Sequence, residues 1–194
     1  FARLDALHAK RSDLGLSPQD LRLLERLHSD FVRAGARLVG AQRDRYAAAN
    51  EQLASLMTRF GQNVLADEGA FRLSLAHEAD MIGLPDFVRD AARQAATERG
   101  LDGAVITLSR SLIVPFLTFS QRRDLREAAW RAWTSRGEHA GDTDNRVIVR
   151  EILELRAEQA ALLGYASYAD YALDNTMAGH HAAVMKLLDD VWEI

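Results

Sequence analysis

The chain has no cysteine. That single absence removes disulfides, thiolate metal ligands and a cysteine nucleophile, and it fits a reducing compartment. No apolar run approaches the ~20 residues that a bilayer span requires. Excess positive charge is missing too: the formal net charge is -4 and the pI about 5.9. Nucleic-acid binding normally draws on a concentrated positive field, so no DNA or RNA partner is expected. The opening residues, Phe1 to His8, alternate charged and apolar groups as a helix does. They lack the positive-then-apolar order of a signal peptide. The expected location is cytoplasmic, with no membrane partner. Also missing are a G-x-S-x-G turn, a phosphate-cradling glycine loop, an internal repeat and a low-complexity tract.

What is present is a core-forming helical pattern. With 194 residues, 48% of them hydrophobic, the chain can bury roughly 70% of the surface its unfolded form exposes. Ser17-Pro18-Gln19-Asp20 is a helix start, because the serine hydroxyl can accept an orphan N–H and proline loses nothing at the first helical position. Leu24, Leu27, Phe31 and Ala34 follow at helical spacing, and Gly35 suits the stop. After Gly40 a longer helix carries Leu53, Leu56, Met57, Phe60 and Val64 on one face, and the two helices are expected to lie antiparallel.

The period then changes. Phe71-Arg72-Leu73-Ser74-Leu75 alternates apolar and polar as a half-buried strand does. Gly83-Leu84-Pro85-Asp86 breaks the chain and starts a helix to about Arg99. Ala104 to Ser109 and Ile113 to Thr118 read as further strands, the second at an edge because Pro115 cannot donate to a ladder. Helices follow over Ser120 to Ser135, Thr143 to Leu163, Tyr168 to about Asn175, and His181 onward. In the second of these Ile148, Ile152, Leu155 and Leu162 form the inward stripe, Arg146, Arg150 and Glu154 face out, and Gly164 supplies the stop. The fold class is therefore mainly α: a multi-helix body with a small antiparallel β-sheet insertion at about residues 70–118.

Candidate chemistry is sparse. His77-Glu78-Ala79-Asp80-Met81 approaches a zinc-protease helix, but the second ligand must lie four residues after the first and position 81 is methionine. Glu78 and Asp80 are better explained as charges at the positive end of a short helix. His180-His181 sit about 100° apart on a helix and mark its start after Gly179. His8, His28 and His139 are single histidines, surface or satisfied polar residues. Asp142-Thr143-Asp144-Asn145 lacks the sixth-position glycine of a calcium loop, since position 147 is valine, and is read as capping the next helix. Arg122, Arg123, Arg126, Arg131 and Arg136 form a basic helix in which Arg123 and Glu127 can pair at i,i+4. A second reading has one of these arginines facing a peptide carboxylate. Trp130, Trp133 and Trp192, with Tyr165, Tyr168 and Tyr171, are read as packing residues. No catalytic, cofactor-binding or metal-binding residue is assigned.

An ordered set of segments carries a resemblance. They are Phe31 to Leu38, Leu53 through Phe60-Gly61-Gln62-Asn63-Val64-Leu65, Gly83-Leu84-Pro85, Arg122-Arg123 with Trp130-Arg131-Ala132-Trp133, Asp144-Asn145, and Leu155-Arg156 to Tyr165. Together they resemble the thimet-oligopeptidase family of zinc metallopeptidases over essentially the whole chain. Thr58 to Asp67 is most similar to its bacterial peptidyl-dipeptidase (dipeptidyl carboxypeptidase) branch.

The resemblance implies a largely helical enzyme that cleaves short peptides with zinc held by an H-E-x-x-H helix and a downstream glutamate. None of those residues is found in this sequence. The chain opens on Phe1 in a helical pattern and closes on Val191-Trp192-Glu193-Ile194 with an apolar stripe still running, so both ends are expected to be cut. Residues 1–194 are accordingly expected to be the amino-terminal helical region of a larger peptidase, ending before the zinc-binding half. In that enzyme dipeptides would leave the C-termini of short peptides. This segment would shape the channel, hold no zinc and be inactive alone. Its exposed apolar faces, such as that of Val184, Leu187, Leu188 and Val191, would favour self-association. The alternative is a stand-alone helical protein-interaction module.

Overall fold

The computed structural model describes residues 1–193; Ile194, the last residue of the terminal stripe, lies outside them. Helices dominate, and two short strands form one antiparallel sheet. The chain divides into two compact units. One comprises Phe1–Ala54 with Ile152–Ile194, the other Ser55–Glu151.

In the discontinuous unit, α1 (Ala2–Ala9) packs on α2 (Pro18–Arg33). The start of α2 is the expected one: Ser17 accepts a hydrogen bond from the Asp20 N–H at 3.2 Å, with Pro18 in the first turn. Its inward face is rotated from the expected one. His28 is the buried residue, whereas Leu27 and Phe31 are more than two-fifths exposed. Apolar residues occupy both faces of this helix, so their spacing could not select one, and the face that packs on α1 centres on His28. The first part of α3 (Gly40–Ala70) belongs to this unit, with the later part of α7 (Arg146–Leu162). There Arg45 pairs with Glu158, and the Gln159 amide donates to Asn50 Oδ1 at 2.6 Å.

Helix α8 (Tyr168–Leu173) starts on Ser167, which accepts from the Asp170 N–H. Helix α9 (His181–Trp192) starts on His180 in the same manner. Arg33 anchors α8 by lying 4.4 Å over the Tyr171 ring and donating to Asp174 at 3.1 Å. Tyr165, Tyr168 and Tyr171 pack ring against ring, as expected of packing residues.

The continuous unit holds the main apolar cluster. Strands β1 (Leu73–Leu75) and β2 (Ala104–Ile106) pair with Leu73 opposite Ile106 and Leu75 opposite Ala104. All three β2 residues are buried, because α4 (Asp86–Thr97) packs against the strand. Val88, Ala92, Ala95 and Ala96 make the contacting face of α4, and alanine permits close backbone approach.

The expected strand at Ile113 to Thr118 is instead part of α5 (Arg110–Phe119). Ile113 and Phe116, three residues apart, are both completely buried. One face of a strand cannot bury both, but one face of a helix can. Adjacent β-branched residues and Pro115 imitate a strand locally, while the apolar cluster rewards the helical spacing. The sheet consequently spans 73–106 rather than 70–118. Helix α6 (Arg123–Thr134) and the start of α7 complete the unit. In α7 the stripe is as expected, with Ile148 and Ile152 buried and Leu155 and Leu162 partly so.

Candidate functional site

Among the described residues, no three His, Cys, Asp or Glu side chains converge so that they could hold a metal ion. The residues present do not fit a zinc site. His77 caps a 3-10 turn at Glu78–Met81, and its backbone N–H donates to Asp80 Oδ2 at 3.0 Å. Asp80 is buried and receives the Arg122 guanidinium, so its charge is neutralised rather than offered to a ligand. His180 accepts from the Ala183 N–H and His181 meets Asp170 at 2.8 Å, both in keeping with a helix start.

Two of the single histidines come together. The rings of His8 and His28 stack with centroids 3.7 Å apart and planes 3° from parallel. His28 Nε2 also meets Asp5 Oδ1 at 2.9 Å, and Arg37 donates to the same carboxylate. Burial holds the His8 pKa below the usual histidine value, helped by the neighbouring His28 and Arg11. Spacing carried no sign of this pair, since twenty positions separate its members in sequence.

Asn145 has a different task from the capping assigned to it. Its side chain is buried, accepts from Asn63 Nδ2 at 2.9 Å and donates to the Phe60 carbonyl at 3.1 Å. The helix-start role falls to Asp144, which accepts from the Arg146 N–H and side chain and is held at a pKa of about 2 by those hydrogen bonds. Nearby, Asp67 accepts the Gly137 N–H at 2.7 Å. Burial works to raise its pKa, but hydrogen bonds from Thr143 and Gly137 leave it below the ordinary carboxylate value. Arg136 closes the group by pairing with Glu68 and lying 3.6 Å over Trp133. Asn63, Asp67 and Asn145 thus tie the carboxy-terminal half of α3 to the connection between α6 and α7.

The basic helix is where an open site lies. The expected Arg123–Glu127 pair does not form: Glu127 pairs with Arg131 at 2.7 Å. An acid four residues before a base is the favoured orientation on a helix, and here that base is Arg131. Arg122 is spent on Asp80 and Asp124, holding Asp124 at a pKa of about 2. Arg126 uses one nitrogen on the Ser120 carbonyl. Arg123 has no ion pair or hydrogen bond among the described residues.

Arg123, Arg126, Glu127 and Trp130 follow one another at helical spacing on one face of α6, and with Leu117 of α5 they line a cleft of about 470 Å³. That volume falls within the ~300–1,000 Å³ typical of ligand sites. Trp130 is half exposed here and Trp192 almost wholly so, which corrects their reading as packing residues. Of the three tryptophans, Trp133 alone packs against the core cluster.

Sequence comparison gives the class to which this helical body is similar. Residues 116–193 match peptidase family M3. The likeness to peptidases extends further, over nearly the whole chain. It is 33% identical to dipeptidyl carboxypeptidase of Escherichia coli over 98% of its own length, covering 28% of that protein. It is 34% identical to oligopeptidase A of Haemophilus influenzae over 89% of its length, covering 26% of that protein. A probable thimet oligopeptidase of Arabidopsis thaliana is 25% identical over 97% of the chain. The chain spans about a quarter of the length of these curated relatives.

Proposed function

We propose that this chain is the amino-terminal region of a zinc-dependent oligopeptidase, a peptidyl-dipeptidase, and that it shapes the substrate channel without cleaving bonds. The observation that carries this reading is the likeness to dipeptidyl carboxypeptidase across 98% of the chain, together with the family match at residues 116–193. Zinc and the residues that activate water would lie in the remaining part of the protein, because no described side chains here fit a metal. When bound, zinc would polarise the scissile carbonyl and lower the pKa of a bound water.

This chain's own contribution would be shape and charge. Helices α5 and α6 present a rigid, arginine-bearing wall, and rigid walls select short, unfolded peptides by excluding folded ones. The substrates would be short peptides and the location cytoplasmic; no described helix is long and apolar enough to cross a membrane. Alone, the chain would be inactive and would self-associate through the exposed apolar face of α9.

Two measurements test the reading. The sequence following Ile194 is expected to encode H-E-x-x-H; a stop codon there would support the stand-alone interaction module instead. The purified 194-residue chain is expected to bind no stoichiometric zinc and to hydrolyse no peptide, whereas the extended protein does both. Turnover with tightly bound zinc in the short chain would overturn the division of labour.

A further inference from the structure

We propose that α1 is a latch released by acid: it stays docked on α2 while the stacked rings of His8 and His28 hold at most one extra proton, and it comes away when both are protonated. The inference does not depend on the proposed function. No residue of α1 is buried; Leu4, Asp5 and His8 are half-buried and lie on one face of the helix. Little apolar area therefore holds α1 down, and its docking falls to ring and charge contacts.

His28 is the fixed side of the contact. It is 6% exposed, its Nε2 meets Asp5 Oδ1 at 2.9 Å, and the Phe1 ring lies 5.7 Å from its own. His8 covers its face at 3.7 Å, a separation that leaves no room for water between the planes. A proton on His28 is answered by the Asp5 carboxylate. A second proton, on His8, sets like charges face to face with no solvent between them to screen the repulsion. The acids around the stack are already engaged: Asp5 of α1 takes Arg37, and Glu25 of α2 takes Arg11 and Arg22. Burial, helped by His28 and Arg11, holds the His8 pKa below the usual histidine value, so the docked form binds fewer protons than the released one. Docking is then complete above pH ~6.5 and is lost as the pH falls through the native His8 value.

Amide hydrogen exchange read by mass spectrometry, with rates corrected for the pH dependence of intrinsic exchange, tests the latch. Between pH 7.5 and 5.5 the amides of Asp5 to Lys10 are expected to lose at least tenfold protection, while those of α4 keep theirs. His8→Phe leaves a ring over His28 without a charge and is expected to hold the protection at pH 5.5. Asp5→Asn removes the carboxylate beside His28 and should move the loss of protection to higher pH. His139→Phe, in the other compact unit, should leave the transition in place.

Equal protection of α1 at both pH values, or a His8→Phe variant that loses protection as the unaltered chain does, would overturn the inference. So would an Asp5→Asn transition that stays in place or moves to lower pH, or one abolished by His139→Phe. Imidazole NMR showing both rings protonated while α1 stays protected would also end it.

Discussion

Asn145 shows how a residue can be read correctly for type and wrongly for task. A polar residue before a helix is a reasonable cap, but this one is buried and joined to Asn63, a partner 82 positions away. No local pattern encodes that separation. Replacing Asn145 with alanine leaves the buried Asn63 amide without its partner, and the expected loss is about 1–3 kcal/mol in denaturant unfolding. The His8–His28 stack makes a second residue-scale prediction. The native His8 pKa lies below its unfolded value, so its stabilising effect is complete above the unfolded pKa of about 6.5 and is lost as pH falls through the native pKa. Urea midpoints should therefore drop between pH 7.5 and 5.5, with Asp5, Glu25, Arg11 and Arg37 as the charged neighbours. His8→Phe keeps a ring over His28 and is expected to flatten that slope; an unchanged slope would assign it to other groups.

At the scale of elements, local chemistry was legible wherever the partner sits within one turn. Ser17 and Ser167 start helices through N–H groups three residues on, and Gly35 and Gly164 end them with φ near +86° and +85°. Helix α5 was not legible, because its spacing acquires meaning only against α4, α6 and β2. Pro115 has no N–H to give the Ser111 carbonyl, so Pro115→Ala should raise stability by about 1–2 kcal/mol, read as a higher denaturant midpoint. The turn before α4 works in the opposite direction. Gly83 has φ +85°, and an added Cβ would sit 2.5 Å from the Phe119 carbonyl oxygen, which is backbone and cannot swing aside. Gly83→Ala is expected to cost more than about 2 kcal/mol and to lower the thermal midpoint. Acid acts on the element ends. Asp124 and Asp144 have native pKa values of about 2, so their support for the starts of α6 and α7 is present above pH ~4 and disappears as the pH falls toward 2. Helical circular dichroism should decline across that interval.

For the whole molecule, the feature with the largest consequence is the apolar surface of α9. Leu187, Leu188, Val191 and Trp192 are each more than half exposed. If this face drives the proposed self-association, light scattering of the chain should show mass rising with concentration, and the double change Leu187→Glu with Leu188→Glu should return it to a monomer. A monomer at all concentrations in the unaltered chain would remove that proposal. The amino-acid order alone determined the helical class, most helix starts and stops, and the resemblance to a peptidase family, because caps, turns and periodic stripes act within a few residues. Tertiary structure decided that Ile113 to Thr118 is helical, which face of α2 turns inward, and that Arg123 is left without an acid while Arg122 is given two. Those choices follow from burial and charge pairing among residues distant in sequence, Arg122 and Asp80 being 42 positions apart, where the free energy belongs to the packed assembly and to no short stretch of chain.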